Sequence, residues 1–469
     1  MPINSFLYPG AKVTPGYEVA NSCRFYSNTR LSRTTGVTTT NTKFTLSFWI
    51  KMCDITNHQM IFETYKADGE YLSCGFNLDN AVQPRFYIQE YTGSYIFRKI
   101  FTRLSRDMSA WSHYCIKYDS TEGESTRLRV YVNGTEDTVT TTANLPSSNA
   151  TSIISVGTQY IGYSENQSGH YLHAYLAEFV LVEGTDYAPT DFGEFDEDSP
   201  TIWKPKDVSG LTFGTNGFYL DFKDSGDLGD DESGNGNDFS ETNLAATDQS
   251  IDSPTNNFCT WNPLDNYYAN STFSEGNLKL VSGGSGDETY NTSTFGLTAG
   301  KWYVELKHEG GNNVLRQLFG ITQNPTDDDG QYLGSDNNDS WGYYDNDGKV
   351  YHNNSDSVAS YNTWTTNDII SLALDLDNNR LYFAKNGTWQ GSSDPTDGTN
   401  AISIDANYTY FIAWGDASSG NMNSSVNFGS PPYANSSAAA DENGYGAFEY
   451  APPSGYLALC TKNLGESGG

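Results

Sequence analysis

The segment ISLALDLDNNRLYFAKNG, Ile370 to Gly387, admits few folds. Ile370, Leu372, Leu374 and Leu376 alternate with small or polar residues, an Asp-Asn-Asn turn follows, and Leu381 and Phe383 lead into an Asn-Gly turn. A period of two puts one set of side chains on one face, and Asn-Gly tolerates the backbone of a tight turn, so the segment predicts a half-buried β-hairpin. No helical period is sustained anywhere in the chain. Abundant Gly, Asn, Ser, Thr and Tyr suit many short strands joined by turns. A length of 469 residues has room for two or three domains.

Between Phe44 and Val182 the segments FTLSFWIK, MIFETY, WSHYCIKYDS, RLRVYVNG, QYIGY and LHAYLAEFVLV each alternate or are wholly apolar, with turn residues between them. This pattern predicts an all-β sandwich. Ser47 to Trp49, Trp111 with His113, Tyr131 to Gly134, Ile161-Gly162 and Ala177 to Phe179 follow in an order that resembles the laminin-G-like, concanavalin-A-like jelly roll. Further on, GKWYVELKHEG, LFGIT, WGYYDNDGKVYHN, the opening hairpin, YTYFIAWGD and Val426 to Gly429 resemble a SPRY domain. That resemblance implies an antiparallel sandwich that binds partners through loops at one end and seldom does chemistry. The expected fold class is all-β: two antiparallel β-sandwiches joined by an acidic, partly ordered connector. Expected boundaries are 1–190 for the jelly roll, 191–270 for the connector and 271–469 for the SPRY-like domain, the last few residues being mobile.

The net charge of -32 is unevenly spread. Residues 1–190 hold 15 of the 26 Lys and Arg and 17 of the 58 Asp and Glu, so the acidity lies in the C-terminal part. Such a surface repels phosphate backbones and anionic membrane faces, which argues against nucleic acid as a partner. No apolar stretch is long enough to span a bilayer, so membrane insertion is not expected. The N-terminus lacks a signal-peptide pattern, and secretion by that route is not expected. Six cysteines without a CxxC pair predict reduced thiols, and no zinc finger is encoded.

The connector reads as EFDEDSP, then DSGDLGDDESGNGNDF, with strand character from Gly214 to Ser225. Together with the run AATDQSIDSPTNNFCTWNPL between the two flanking modules, it resembles connectors in virion proteins of marine bacteriophages. That resemblance implies synthesis in a host cytoplasm and a place on the virion.

Some jelly rolls carry glucan-hydrolysing carboxylates at E-x-D-x-x-E or E-x-D-x-E spacing, which puts acid and nucleophile on one face of a strand. The nearest run, Glu194 to Ser199, lacks the last glutamate. None of the six histidines stands in a hydrolase or metalloprotease motif, and His113 is expected to pack within the fold. No catalytic residues are expected, and the protein is not expected to be an enzyme. The laminin-G-like resemblance implies calcium as a cofactor, because such domains often hold it at a loop rim. Hard cations need several oxygen ligands, which Asp327, Asp329, Asp345 and Asp347 could offer, as could the acidic loop Asp227 to Asp238. Tyr65, Asp68, Tyr91 and Tyr95 are the candidate ligand-binding residues, since sugars need an aromatic face and carboxylate or amide groups for their hydroxyls. Trp341 is expected in the SPRY-like core.

These readings converge on a non-catalytic bacteriophage virion surface protein, a tail or head fibre or decoration subunit, that recognises host surface polysaccharide during attachment. Expected partners are that polysaccharide and other virion proteins, with several identical copies multiplying weak sites. The alternatives are an architectural virion part and a polysaccharide-degrading enzyme built on the jelly roll.

Overall fold

The computed structural model describes residues 16–467 apart from the short segments 37–38, 40, 79–82, 198, 267–269, 284–288, 312–315, 326–330, 336–337, 354–355 and 418–420. Its described strands form antiparallel ladders throughout, and its one described α-helix is Thr461–Ser467. No described helix is long and apolar enough to cross a membrane.

The first sandwich stacks two eight-stranded sheets. Lys43–Met52 lies central in the front sheet, paired with Ser112–Asp119 on one side and Ala174–Glu183 on the other. The back sheet runs in the order Val139–Ala143, Tyr95–Leu104, Arg85–Thr92, Glu70–Phe76, Gln59–Ala67, Thr158–Ile161, Arg30–Thr34, Ser240–Thr242. Alternation decides which side chains meet between the sheets: in Glu70–Phe76, Leu72, Cys74 and Phe76 join the core while Tyr71, Ser73 and Gly75 lie on the opposite face, where they too are buried. Phe48 anchors the middle, stacked 5.3 Å from Phe179 and 5.8 Å from Tyr114.

The second sandwich has an eight-stranded sheet centred on Lys301–Gly311 and a six-stranded sheet containing Phe411–Asp416, Gln317–Thr322 and Ser340–Tyr344. Trp302, Trp341, Trp364 and Trp414 are all buried in its core, so Trp341 lies where the resemblance places it. The hairpin Ile369–Asp375 with Arg380–Lys385 forms in the expected register, Leu372 opposite Phe383 and Leu374 opposite Leu381. It is not half-buried, however. Ala373 and Tyr382 on its other face are covered by Phe448, Tyr456 and Ala458 of the C-terminal segment, which is thereby docked. Small and aromatic residues on that face leave room for a second layer that a polar face would have refused.

The acidic segment 191–257 does not stand apart as a connector. Phe218–Leu220 pairs with Ala174–Glu183, Ser240–Thr242 with Arg30–Thr34, and Gln249–Ser250 with Ser22–Phe25, so three strands from it extend the first sandwich. Phe192, Trp203, Val208, Phe213, Phe218 and Phe239 supply the apolar surface that holds it down. Its carboxylates serve turns instead of floating in water. Asp231 accepts from the backbone amides of Tyr219, Ser233 and Asn237, and Asp224 and Asp227 accept from those of Gly226 and Gly229.

Residues 252–258 then join the sandwiches around a buried cation. The Lys51 ammonium donates to Asp252 Oδ2, Asn257 Oδ1 and the Phe258 carbonyl, each at 2.7 Å, which uses all three of its protons. Trp111 Nε1 donates to the other oxygen of Asp252 at 2.9 Å. Beside this knot, Tyr175 of the first sandwich donates through its hydroxyl to the Gly276 carbonyl of the second at 2.9 Å. Gly276 has φ +69°, and a Cβ there would meet the Tyr175 hydroxyl oxygen at 2.0 Å. Gly276→Ala is therefore expected to lower the unfolding free energy by about 1–3 kcal/mol in urea titrations. An unchanged midpoint would contradict so close an approach.

Candidate functional site

Three of the four sugar-binding candidates fall into one row on the outer face of the back sheet. Pairing places Tyr65 opposite Tyr71, Tyr71 opposite Tyr91, and Tyr91 opposite Tyr95, so residues on four neighbouring strands point the same way. Tyr71 and Tyr91 stack with ring centres 5.7 Å apart, and Tyr95 meets Tyr91 edge-on at 5.1 Å. Asp68, in the turn after Gln59–Ala67, accepts from the Tyr65 hydroxyl at 2.6 Å and fixes that ring.

A polar row lies beside it, two residues along from Tyr65, Tyr71 and Tyr91 and, across a bulge, three from Tyr95: Tyr160, Glu63, Ser73, Gln89 and Arg98 are paired in that order. Gln89 Nε2 donates to Ser73 Oγ at 3.2 Å. The Arg98 guanidinium donates to the Tyr95 hydroxyl at 3.1 Å and lies 5.3 Å from the centre of its ring, joining the two rows. Glu63 is committed elsewhere: it accepts from Ser164 Oγ at 2.7 Å and from the backbone amides of Glu165 and Asn166 at 2.7 and 3.1 Å. Burial pushes its carboxyl up to about 7, against the pull of those donors. It acts as a clasp on the loop that borders the face.

Tyr71, Gln89 and Arg98 were not singled out in the sequence. The signal was present, because Tyr65 and Tyr71 flank one turn at Asp68-Gly69 and Tyr91 and Tyr95 flank another at Gly93, and residues symmetric about a hairpin turn end up opposite each other.

The acidic candidates are placed separately. Asp327 and Asp329 lie outside the described residues. Asp345 is fully buried, accepts from the Arg316 amide at 3.0 Å and lies 3.6 Å from His308 Nε2. Asp347 occupies a turn, accepting from the Lys349 amide at 3.0 Å and the Tyr351 hydroxyl at 2.7 Å. Asp345 and Asp347 share no partner among the described residues. Asp119, Glu122 and Asp186 are the one described group of three close acidic ligands, and Lys43, Lys117 and Arg129 already neutralise them at 2.7–3.1 Å. That donor set does not fit a hard dication. Glu194 is itself exposed on a two-stranded ribbon, Gly193–Phe195 with Trp203–Pro205, that is anchored by buried Trp203, and it faces Lys204 at 3.6 Å. His113 is buried, held between Ser47 Oγ at 2.8 Å and Trp203 Nε1, which donates to its Nδ1 at 3.1 Å. Burial lowers its pKa to about 3, so it packs as a neutral ring. All six cysteines are free thiols.

Residues 26–185 match the family model of the concanavalin A-like lectin/glucanases superfamily, and residues 301–396 match that of the SPRY domain. No curated protein matches the chain. Among solved structures, the SPRY domain of human HERC1 is 21% identical over 35% of this chain and 96% of its own, with a TM-score of 0.29. The PSpry domain of TRIM65 is 13% identical over 36% and 91%, with a TM-score of 0.28. This chain carries a laminin-G-type domain of the concanavalin A-like lectin/glucanases superfamily followed by a SPRY domain.

Proposed function

We propose that the outer face of the back sheet holds glycans of a host cell surface, and that the protein is a non-catalytic bacteriophage virion surface protein, a fibre or decoration subunit used in attachment. One observation carries the glycan reading. Tyr65, Tyr71, Tyr91 and Tyr95 form a register-aligned aromatic row, backed by the side chains of Ser73, Gln89 and Arg98. Rings of this kind suit the apolar face of a pyranose, and the half-buried Arg98 guanidinium and the exposed Asp68 carboxylate beside them suit its hydroxyls, while Ser73 and Gln89 are buried and brace the face. The most deeply set carboxylate on the face, Glu63, is engaged by a loop, which favours holding over cleavage. The virion setting rests on the sequence resemblance of the segment ending in CTWNPL. Several copies per particle would multiply weak single sites.

Tyr91→Ala tests the reading on a glycan array. Retention is expected to weaken at least about fivefold, equivalent to about 1 kcal/mol, with the unfolding midpoint little changed. Equal retention by both proteins would remove the tyrosine row from recognition. Failure of every glycan to bind would favour the architectural alternative.

A further inference from the structure

A cleft of about 460 Å³ opens where the two sandwiches meet. Phe25, Ile55 and Met108 wall it from the first domain, Pro263, Leu264 and Phe273 from the second. A cavity of a few hundred cubic ångströms at a domain boundary, mostly apolar with a few polar groups, has the form of a small-molecule site.

Its polar groups narrow the ligand. Asp54 is the acidic side chain in the wall, and its two oxygens already accept from the Thr56 amide, the Thr56 hydroxyl and the Asn57 side chain, all at 2.7 Å, and from Gln59 Nε2 at 3.3 Å. Burial acts to raise its pKa, but those hydrogen bonds outweigh it and hold the carboxyl below its ordinary value. A fixed negative charge disfavours anions, and a carboxylate with four donors has no acceptor site left for an ammonium group. Neutral ligands remain. The His173 imidazole lines the same cleft, with Tyr26 edge-on at 5.4 Å, and makes no hydrogen bond among the described residues. Burial lowers its pKa, with Asp54 opposing, so at neutral pH the ring offers one donor and one acceptor. Ser271, in the wall from the second domain, keeps a buried hydroxyl without a partner among the described residues.

We propose that this cleft binds a short neutral carbohydrate, one or two pyranose rings, with the apolar ring face against Phe273 and Leu264 and the hydroxyls toward His173 and Asn57. A pyranose carries both an apolar face and groups that donate and accept, which is what the two kinds of wall require. The site is separate from the tyrosine row and stands without it.

The test uses the full chain and four probes: maltose, cellobiose, lactose and N,N′-diacetylchitobiose, each followed by saturation-transfer NMR. Leu264 is 62% exposed, so Leu264→Arg narrows the mouth without disturbing a core; Asn57→Ala, also exposed, is the second variant. At least one sugar is expected to receive saturation from the wild-type protein, with the effect reduced at least fivefold by Leu264→Arg, reduced by Asn57→Ala and unchanged by Tyr91→Ala. Addition of that sugar is expected to shift the His173 ring resonances. The proposal is overturned if none of the four sugars receives saturation, if transfer survives both cleft variants, or if Tyr91→Ala alone abolishes it. The last result would assign the sugar to the tyrosine row, whereas loss of array binding with transfer intact would leave the cleft standing.

Discussion

Lys51→Met is expected to lower the unfolding free energy by about 3–5 kcal/mol and to split a single unfolding transition into two. Methionine keeps much of the side-chain volume, so packing changes little. What it removes is the cation that satisfies Asp252, Asn257 and the Phe258 carbonyl at once. The buried Asp252 carboxylate would then keep only its bond from Trp111 and weaker backbone contacts. An unpaired buried charge costs far more than the lost pair ever contributed, so the segment joining the two sandwiches should release first. Urea unfolding followed by tryptophan fluorescence reports both domains, because Trp49 and Trp111 lie in the first and Trp302 and Trp414 in the second. A loss below about 1 kcal/mol with one transition would show that apolar contact alone joins the domains.

Stability is expected to peak near pH 5 to 6 and to fall by several kcal/mol as pH rises toward 8. Burial pushes the carboxyls of Glu63, Glu90, Glu178 and Glu305 up to about 7 in each case, with hydrogen bonds opposing. The folded value lies above the unfolded one, so the folded chain binds more protons between the two. Their contribution is full below about 4.5, declines as pH rises through 7, and is flat above that. Asp119, Asp186 and Asp368 act oppositely. Hydrogen bonds and lysines hold their carboxyls below the ordinary value against the effect of burial, and stability from them is lost on acidification. Each raised glutamate also fastens a segment. Glu305 accepts from the amides of Glu449 and Tyr450 at 2.9 and 2.8 Å, and Glu178 accepts from the hydroxyls of Tyr17 and Tyr219 at 2.9 and 2.8 Å. Melting points at pH 5.5 and 8.0 check the sign, and Glu305→Gln should flatten the difference. A melting point that climbs steadily to pH 8 would contradict the assignment.

The strands were legible because their alternation is regular, and Leu372 opposite Phe383 follows from the turn residues alone. What covers an outer face was not legible. Ala373 and Tyr382 read equally well as surface or as an interface, and only the docking of Phe448 and Tyr456 decides between them. The acidic segment misled for a related reason: Asp231 has the same composition signal whether it caps a turn or meets water, and charge counting cannot tell these apart. Lys51, within the apolar run FWIKMC, gave no sign of burial, because its partners lie some two hundred residues away at Asp252 and Asn257. At the candidate site the tyrosines were found by type, while Arg98 and Gln89 needed the register that brings them behind the aromatic row.

Holding without cleavage is the centre of this account, and one incubation tests it most directly. Full-length protein is mixed with a glycan it retains on the array, and bound material and new reducing ends are followed in the same samples over time. Retention with no increase in reducing ends is the expected result. Reducing ends that accumulate with time, and stop accumulating in Glu63→Gln, would contradict it.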